Sequence, residues 1–158
     1  MKTSSRKKRL QRKDGKNGLT LVELLIAMAI LILAVGGILL SYIRCIELNE
    51  TAKNSSLAVQ AAKSRMELIK STTFGQIKAT YDMNSFDPNG LNGKGISYID
   101  DSNPEFLKIT VSVSWQQKNG RVYGEDLNLN GIIDGSEDGG DGILDSPVEL
   151  VNYIFDRT

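Results

Sequence analysis

The segment GLTLVELLIAM, Gly18 to Met28, begins an apolar run that contains a single acidic residue, Glu23. Basic side chains precede it, since the first 18 residues hold 8 Lys and Arg against 1 Asp. From Leu24 to Ile43 no residue is charged. A helix of that length spans about 30 Å at about 1.5 Å per residue, which matches the hydrocarbon core of a bilayer. The segment predicts a single membrane span with its basic side in the cytoplasm.

A removable secretory signal is the competing interpretation of this apolar segment. Such signals usually have an apolar region of about 7 to 15 residues, followed by a cleavage site with small residues. Here the run is longer and continues into Ser41, Tyr42, Ile43 and Arg44. The pattern favours an apolar segment that stays in the mature protein.

The apolar run passes without proline into a segment rich in Ala, Leu, Lys, Glu and Gln, which favour helix. Apolar side chains recur there at steps of three and four: Leu57, Ala58, Ala61, Ala62, Met66 and Ile69. The pattern predicts one continuous helix from about Leu19 to about Ser71. Its first half is apolar all round, whereas its second half, residues 44–72, is amphipathic and needs a folded partner on one face.

The remainder, residues 73–158, predicts a small antiparallel β-sheet that covers the amphipathic half of the helix, hence an α+β fold. Between Thr72 and Asn103 the sequence indicates loops with a short strand at GISYI. Asn119 and Gly120 form a dipeptide typical of a tight hairpin turn. The other strand candidates are Phe106–Trp115, which alternates as a strand with one buried face, Arg121–Tyr123 and Val148–Phe155.

Gly18 followed by LTLVELLIAMAIL, with basic residues before it and Glu23 inside it, resembles the signal of type IV prepilins and type II secretion pseudopilins. In that family a membrane peptidase cuts after the glycine and methylates the new amine. The resemblance implies that residues 1–18 are a removable leader, that cleavage falls between Gly18 and Leu19, and that Leu19 carries the methyl group. Leu19 replaces the commoner phenylalanine, and Leu40 stands where major pilins often have a proline.

The resemblance also implies a role for Glu23 in assembly. After cleavage, Glu23 of one subunit would neutralise the positively charged amine of a neighbouring subunit's Leu19. In apolar surroundings an unpaired charge is strongly penalised, so this pairing would also set the register between helices. We therefore expect Glu23 to be an assembly residue.

The fold implied by the resemblance is the type IV pilin fold, in which residues 19–43 form the transmembrane and assembly half of the helix. The segments AAKSRMELIKSTTF, KITVSVSW and SPVELVNYIFDR are similar to minor pilins of the PilV and GspI type. The implied function is a minor pilin-like structural subunit of a type IV pilus. Its implied partners are the prepilin peptidase and N-methyltransferase, other pilin or pseudopilin subunits, and an inner-membrane assembly platform.

The expected location is a single-pass inner-membrane protein, with the leader cytoplasmic and the C-terminal domain periplasmic, that later enters a pilus or pseudopilus. Catalysis is not expected, because the chain has no histidine and shows no pairing of nucleophile and base. Nucleic-acid binding is not expected either. Cys45 is the single cysteine, so an intrachain disulfide is excluded.

Two alternatives to a minor pilin remain open. The first is a pseudopilin of a type II secretion system or a major pilin, which would be processed in the same way but assembled by a different system. The second belongs to a different class: a membrane-anchored calcium-dependent binding module that never polymerises. The combination of Glu23 with a cleavable glycine argues against such a binding module, because a protein that is only anchored in the membrane does not need this combination.

The acidic loop 124–146 matches the calcium-loop pattern D-x-[DN]-x-[DN]-G-x5-E. Calcium takes about six to eight oxygen ligands, so alternate side chains turn inward and Gly131 permits the sharp bend. The expected ligands are Asp126, Asn128, Asn130, the carbonyl of Ile132, Asp134 and Glu137. The competing interpretation is a solvated acidic loop without a metal.

Part of this calcium pattern repeats eleven residues later. NGIID, Asn130 to Asp134, is echoed by DGILD, Asp141 to Asp145. The second copy is either a degenerate site or a source of further ligands for the first.

Overall fold

The computed structural model describes residues 20–135, 137 and 139–156. The expected leader, residues 1–18, and Leu19 lie outside the described residues, as does the expected cleavage site between them. The chain divides into two compact units, Met1–Ile43 and Arg44–Thr158. The elements are α1 (Leu21–Lys70), α2 (Phe74–Tyr81), β1 (Asn84–Phe86), β2 (Gly93–Asp100), β3 (Phe106–Gln116), β4 (Val122–Tyr123) and β5 (Glu149–Phe155).

Helix α1 confirms the predicted continuous helix, because it runs from Leu21 to Lys70 without interruption. Its end is closed by two hydroxyl groups that follow it. Ser71 Oγ and Thr72 Oγ1 donate to the carbonyl of Leu68 at 2.7 and 3.2 Å. Together with the Ser71 N–H, which donates to the same carbonyl at 3.2 Å, these bonds satisfy a carbonyl in the last turn of the helix.

The sheet is antiparallel throughout and is organised around β3. Strand β2 pairs with β3 from Gly93 opposite Trp115 to Asp100 opposite Lys108, and β1 pairs with the far side of β2. On its other edge, β3 pairs with β5 over residues 106–112 and with β4 at Trp115 and Gln116. The sheet and the long helix confirm the expected α+β class with a pilin-like arrangement of elements.

The core of the second unit lies between the sheet and the amphipathic part of α1. Ala58 and Ala62 are both 0% exposed, and their small side chains allow the helix backbone to approach the sheet closely. Trp115 stacks on Tyr123 with 5.5 Å between the ring centroids. The other buried members are Met66, Ile69, Ile77, Tyr81, Ile99, Leu107, Ile109, Val111, Val113 and Val148.

The region between α1 and β3 contains more regular structure than its loop-like composition indicates. Helix α2 and strand β1 occupy parts predicted as loop, so that prediction is wrong there. The GISYI strand is longer than predicted and belongs to β2, which lies between two neighbours. The physical reason is that Ile77 and Tyr81 are buried one turn apart, so a helix of eight residues is stabilised by packing rather than by local propensity.

Strand β3 is buried on both faces, which corrects the prediction of one buried face. The inward side is apolar as expected, but Thr110, Ser112 and Ser114 on the outward side are also buried. The acidic loop covers this face: Ser112 Oγ donates to the carbonyl of Leu144 at 2.6 Å. Ser112 on this face therefore bonds to protein rather than to water.

The hairpin between β3 and β4 is confirmed, although its turn is longer than a two-residue turn. The Gly120 N–H donates to the Gln117 carbonyl, and the Gln117 N–H donates to the Arg121 carbonyl, both at 2.9 Å. Gly120 has a φ of +84°, a left-handed conformation that glycine adopts at little cost. The geometry is that of a three-residue loop with a glycine in its last position.

Candidate functional site

The first functional feature is the apolar surface of α1 within the first unit. From Leu21 to Ile43 every side chain is exposed except at Gly36, which is partly exposed. By length and composition, α1 is the one helix among the described residues that could cross a membrane. Such a surface is stable only in lipid or against other apolar helices.

The beginning of this helix is fixed by Thr20. The Glu23 N–H donates to Thr20 Oγ1 at 3.2 Å, and the Leu24 N–H donates to the Thr20 carbonyl at 3.1 Å. This is the arrangement of an N-cap residue, whose side chain satisfies an amide that the first turn leaves free. Thr20 is thus the last residue before the helix, and Leu21 is the first within it.

The second feature is the acidic loop between β4 and β5, which is fastened to the outer face of the sheet. The Leu144 N–H donates to the Tyr98 hydroxyl at 2.9 Å in a buried position. Leu144 packs with Ile96 and Tyr98 in a small second core, beside partly buried Ile133 and Ile143. At the base, the Glu125 N–H donates to the Asp145 carbonyl at 2.8 Å. Both ends of the loop are therefore held by protein contacts.

The first half of the loop turns through a series of carboxylate and amide oxygens that accept backbone N–H groups. Asp126 is only 1% exposed, and its two carboxylate oxygens accept the N–H groups of Asn130 at 3.1 Å and Gly131 at 2.9 Å. Asn128 Oδ1 accepts from Asn130 at 2.9 Å, and Asn130 Oδ1 accepts from Ile132 at 2.7 Å. Gly131 has a φ of +72°, as the sharp bend requires.

Three of the predicted ligands, Asn128, Asn130 and Glu137, lie around the carboxylate of a fourth, Asp134. Asn128 Nδ2 lies 3.1 Å and Asn130 Nδ2 lies 2.8 Å from Asp134 Oδ2. Glu137 lies beside the same carboxylate, and its Oε1 accepts the Leu127 N–H at 3.3 Å. The structure thus brings together Asn128, Asn130, Asp134 and Glu137. Asp126 is linked to this cluster through the N–H of Asn130, which its carboxylate accepts.

The two carboxylates of this cluster have pKa values shifted in opposite directions. Hydrogen bonding to Glu137, and then to Asn130 and Asn128, lowers the pKa of Asp134 below its ordinary value. Hydrogen bonding to Asp134, together with desolvation, raises the pKa of Glu137. Because adjacent carboxylates repel when both are ionised, the pair favours either a shared proton or a cation.

The cluster fits a calcium ion in its donor types. It offers carboxylate oxygens, which calcium prefers, on a loop with the required glycine. The amide nitrogens of Asn128 and Asn130 face Asp134, whereas their oxygens accept backbone N–H groups. Glu137 Oε2 is shielded from solvent and has no hydrogen-bond donor within the described part of the chain. In residues 20–135, 137 and 139–156, no group of three or more Asp, Glu, Cys or His side chains is arranged to hold a metal. A calcium ion here would therefore depend on amide and carbonyl oxygens as well as carboxylates.

The echoed segment folds in the same local manner as the first copy. Asp141 Oδ1 accepts the Ile143 N–H at 3.0 Å, as Asn130 Oδ1 does for Ile132. Asp145 belongs to the base of the loop, where its N–H donates to Glu125 Oε2 at 3.0 Å. Its backbone thus closes the loop.

Sequence reasoning did not identify Tyr98, Ser112 and Leu144 as the residues that fasten the loop. The sequence did contain a signal for Tyr98. In GISYID, Tyr98 follows Ile96 by two positions, so both side chains lie on the same face of the strand. The residue that packs on that face, Leu144, is distant in sequence, so the contact could not be predicted from the local sequence pattern.

Comparison with known proteins gives one match. Residues 13–40 match the family described as "Prokaryotic N-terminal methylation motif". No curated protein and no solved structure shows significant similarity to the chain. The match covers less than a fifth of the sequence, including Gly18, Leu19, Thr20 and Glu23.

The matched motif, the exposed apolar helix and the small antiparallel sheet agree with one another. The chain carries a type IV pilin-like signal, and the motif supports a pilin-like or pseudopilin-like subunit. It implies processing by a prepilin peptidase and assembly with other pilins. Together with the apolar helix it suggests a membrane-anchored structural subunit rather than an enzyme.

Proposed function

We propose that the protein is a minor subunit of a type IV pilus, anchored in the inner membrane by the apolar half of α1 before it is assembled. The observation that carries this proposal is the methylation motif at residues 13–40, which overlaps the first half of α1. From Leu24 to Ile43 that half of the helix has no charged residue. The same surface suits lipid before assembly and neighbouring helices after it. Resemblance to minor pilins of the PilV and GspI type supports a minor rather than a major subunit.

Glu23 is the assembly residue in this proposal. It is exposed on the first turn of α1, four positions along the sequence from Leu19, on which cleavage at Gly18 would create an amine. Pairing with the positively charged amine of a neighbouring subunit would neutralise both charges, so that neither is left unpaired in apolar surroundings. An inner-membrane assembly platform would then receive the subunit, with the sheet domain on the periplasmic side.

The fraction of the protein in sheared filaments tests this function. A minor subunit is expected there in small amounts relative to the dominant pilin. Dominance of this chain in the filament would instead indicate a major pilin, and its presence only in a secretion pseudopilus would indicate a pseudopilin. Complete retention in the inner membrane, in cells that form filaments, would contradict assembly and favour a membrane-anchored binding module.

We further propose that the acidic loop binds calcium through Asp126, Asn128, Asn130, Asp134, Glu137 and the carbonyl of Ile132. The match to the calcium-loop spacing and the gathering of Asn128, Asn130 and Glu137 around Asp134 support this proposal. Binding would require the side-chain amides of Asn128 and Asn130, whose nitrogens now face Asp134, to turn their oxygens toward the ion. A bound calcium ion would supply the positive charge that the adjacent carboxylates lack. Calorimetric titration of the detergent-solubilised protein should then show saturable binding, and no heat of binding at millimolar calcium would contradict the site.

A further inference from the structure

We infer that the outer edge of β5 is a docking site for an extended apolar segment of a neighbouring pilin-like subunit, which joins the sheet as a further strand. This inference rests on the proposed assembly with other pilins and specifies one contact between subunits. It concerns the second unit of the chain and is separate from the pairing of Glu23 between subunits.

The backbone of β5 has one edge without a partner strand. Within residues 20–135, 137 and 139–156, β5 pairs with β3 alone. The Val113 N–H donates to the Val148 carbonyl at 3.1 Å, and hydrogen-bonded and non-bonded pairs alternate along an antiparallel ladder. Counted from this bond, the residues of β5 whose N–H and carbonyl groups point away from β3 are Glu149, Val151, Tyr153 and Phe155.

The side chains along this edge are apolar on both faces of the sheet. On the outer face, Val151, Tyr153 and Phe155 are 45%, 50% and 60% exposed. The ring of Phe106 packs against both aromatic rings, with centroids 5.4 Å from Tyr153 and 5.6 Å from Phe155. On the face toward α1, two further apolar side chains are only partly buried, Leu150 and Ile154. A segment placed along β5 would therefore cover apolar surface on both faces.

The edge of β5 lacks the usual protection against pairing with another chain. Natural edge strands are often very short or carry Lys or Pro. Strand β5 has seven residues, Glu149–Phe155, and contains neither Lys nor Pro. One side chain shields its middle, because Asn152 Oδ1 accepts the Tyr153 N–H at 2.9 Å. An incoming strand has to displace this amide, whereas the N–H groups of Val151 and Phe155 have no such acceptor within the described residues.

The shape of this edge suits an extended chain. An open groove of about 610 Å³ lies beside the second half of β5 and is lined by Lys70, Phe74 and residues 152–156. A row of N–H and carbonyl groups is satisfied by a second extended backbone, as in strand addition to a sheet edge. Because both faces of β5 are apolar, the matching segment is apolar at successive positions, as a fully buried strand is.

Membrane anchoring excludes β5 of a second copy as the occupant. Two β5 strands paired antiparallel would be related by a two-fold axis perpendicular to the sheet. Such an axis reverses every direction in the plane of the sheet, so the parts of α1 that pack on the two sheets would run in opposite directions. Two subunits anchored in one membrane by the N-terminal halves of α1 cannot adopt this arrangement. The occupant is therefore a different segment of a neighbouring subunit.

Amide hydrogen exchange of the full-length protein, measured in detergent micelles and in sheared filaments, tests the inference. The amides of Val151 and Phe155 should exchange about tenfold more slowly in filaments, because they gain hydrogen-bond acceptors there. The amides of Leu150 and Ile154 are the internal control, since β3 already protects them, and should change less. Equal exchange of Val151 and Phe155 in both states would overturn the inference. Absence of the wild-type chain from filaments would instead overturn the proposed assembly, and the inference with it.

Matched substitutions at Val151 supply a second test. Val151→Pro removes an N–H that points away from β3, which an edge strand tolerates, whereas Val151→Ala keeps that N–H. We expect Val151→Pro to be about tenfold less abundant in filaments than the wild type and Val151→Ala to be within about twofold of it. Val151→Lys keeps the whole backbone and should also be depleted, because lysine at an edge opposes strand pairing. Urea unfolding followed by fluorescence of Trp115 identifies the variants that fold, and wild-type abundance of a folded Val151→Lys protein would overturn the inference.

Discussion

Tyr98 and Leu144 join the acidic loop to the sheet through a buried hydrogen bond, in which the Leu144 N–H donates to the Tyr98 hydroxyl at 2.9 Å. Burial raises the pKa of Tyr98, because the charged form of the phenol loses contact with water. The bond lies in the small core that covers the outer face of β2 and β3. The position of the candidate calcium loop thus depends on a contact between residues 46 apart in sequence.

Replacement of Tyr98 by phenylalanine should destabilise the second unit. The buried Leu144 N–H would lose its acceptor, which typically costs about 1 to 3 kcal/mol of unfolding free energy. Urea unfolding of the full-length protein in detergent, followed by fluorescence of Trp115, measures this change. Tyr153→Phe is the matched control, because Tyr153 is half exposed and should change stability by less than about 0.5 kcal/mol. Equal stability of both variants would show that the bond contributes nothing.

Stability should also fall at high pH because of Tyr98. Its pKa is raised in the folded protein, so the unfolded state releases this proton first as the pH rises above the ordinary tyrosine value. The contribution of Tyr98 is therefore complete below about pH 10 and is lost as the pH rises through its folded pKa. Unfolding midpoints measured between neutral and strongly alkaline pH should fall more steeply for the wild type than for Tyr98→Phe. Parallel curves would contradict this assignment.

Gly131 and Gly135 offer a matched pair that separates backbone strain from crowding. Both have positive φ, but a Cβ at Gly131 would lie 2.6 Å from Ser85 Cβ, whereas a Cβ at Gly135 would meet no atom within 4 Å among the residues that the structure describes. We expect Gly135→Ala to cost about 1 kcal/mol of unfolding free energy and Gly131→Ala about 2 to 3 kcal/mol. The same urea experiment measures both. A smaller loss for Gly131→Ala would mean that β1 moves freely away from the loop.

The hairpin between β3 and β4 is held to α1 by Gln117, whose Nε2 donates to Thr51 Oγ1 at 2.5 Å. Gln117 is only 5% exposed, so removal of its acceptor leaves a buried donor unpaired. Thr51→Val should therefore lower the unfolding free energy by about 1 to 2 kcal/mol, whereas Thr51→Ser should stay close to the wild type. Urea unfolding of the two variants distinguishes the lost hydrogen bond from lost packing. An equal loss in both would point to packing of the methyl group.

Calcium affinity should depend more on the first copy of the acidic pattern than on its echo. Glu137→Gln removes the carboxylate that closes the predicted shell and should weaken binding by about tenfold or more. Asp141→Asn is the matched control in the second copy, and calorimetry compares the two dissociation constants. Equal weakening would show that the echo supplies ligands to the same ion, whereas no weakening by Glu137→Gln would exclude that residue as a ligand.

The sequence predicted most of the architecture because its strongest patterns are long. Helix α1 has fifty residues of consistent propensity and periodicity, and β3 alternates over its whole length. Helix α2 escaped prediction because it has eight residues and depends on the burial of Ile77 and Tyr81. Short elements of this kind are determined by tertiary packing more than by local preference.

The calcium ligands stay a prediction, and the contacts that fix the acidic loop on the sheet were not predicted. The glycine predicted to permit the bend, Gly131, donates its N–H to Asp126 Oδ2 at 2.9 Å, a contact that the ligand pattern did not predict. The burial of Ser112 could not be predicted, because a polar residue at an alternating position indicates a solvent-facing side. Its actual partner, the carbonyl of Leu144, lies 32 residues away in the chain.

The mass of the mature N-terminus tests the central proposal most directly. The protein should be expressed together with a prepilin peptidase, purified from membranes and examined by intact-mass and N-terminal peptide mass spectrometry. We predict a chain that begins at Leu19 and carries one methyl group on its amine. A chain that still begins at Met1 in the presence of active peptidase would contradict the proposal that this protein is a processed pilin-like subunit.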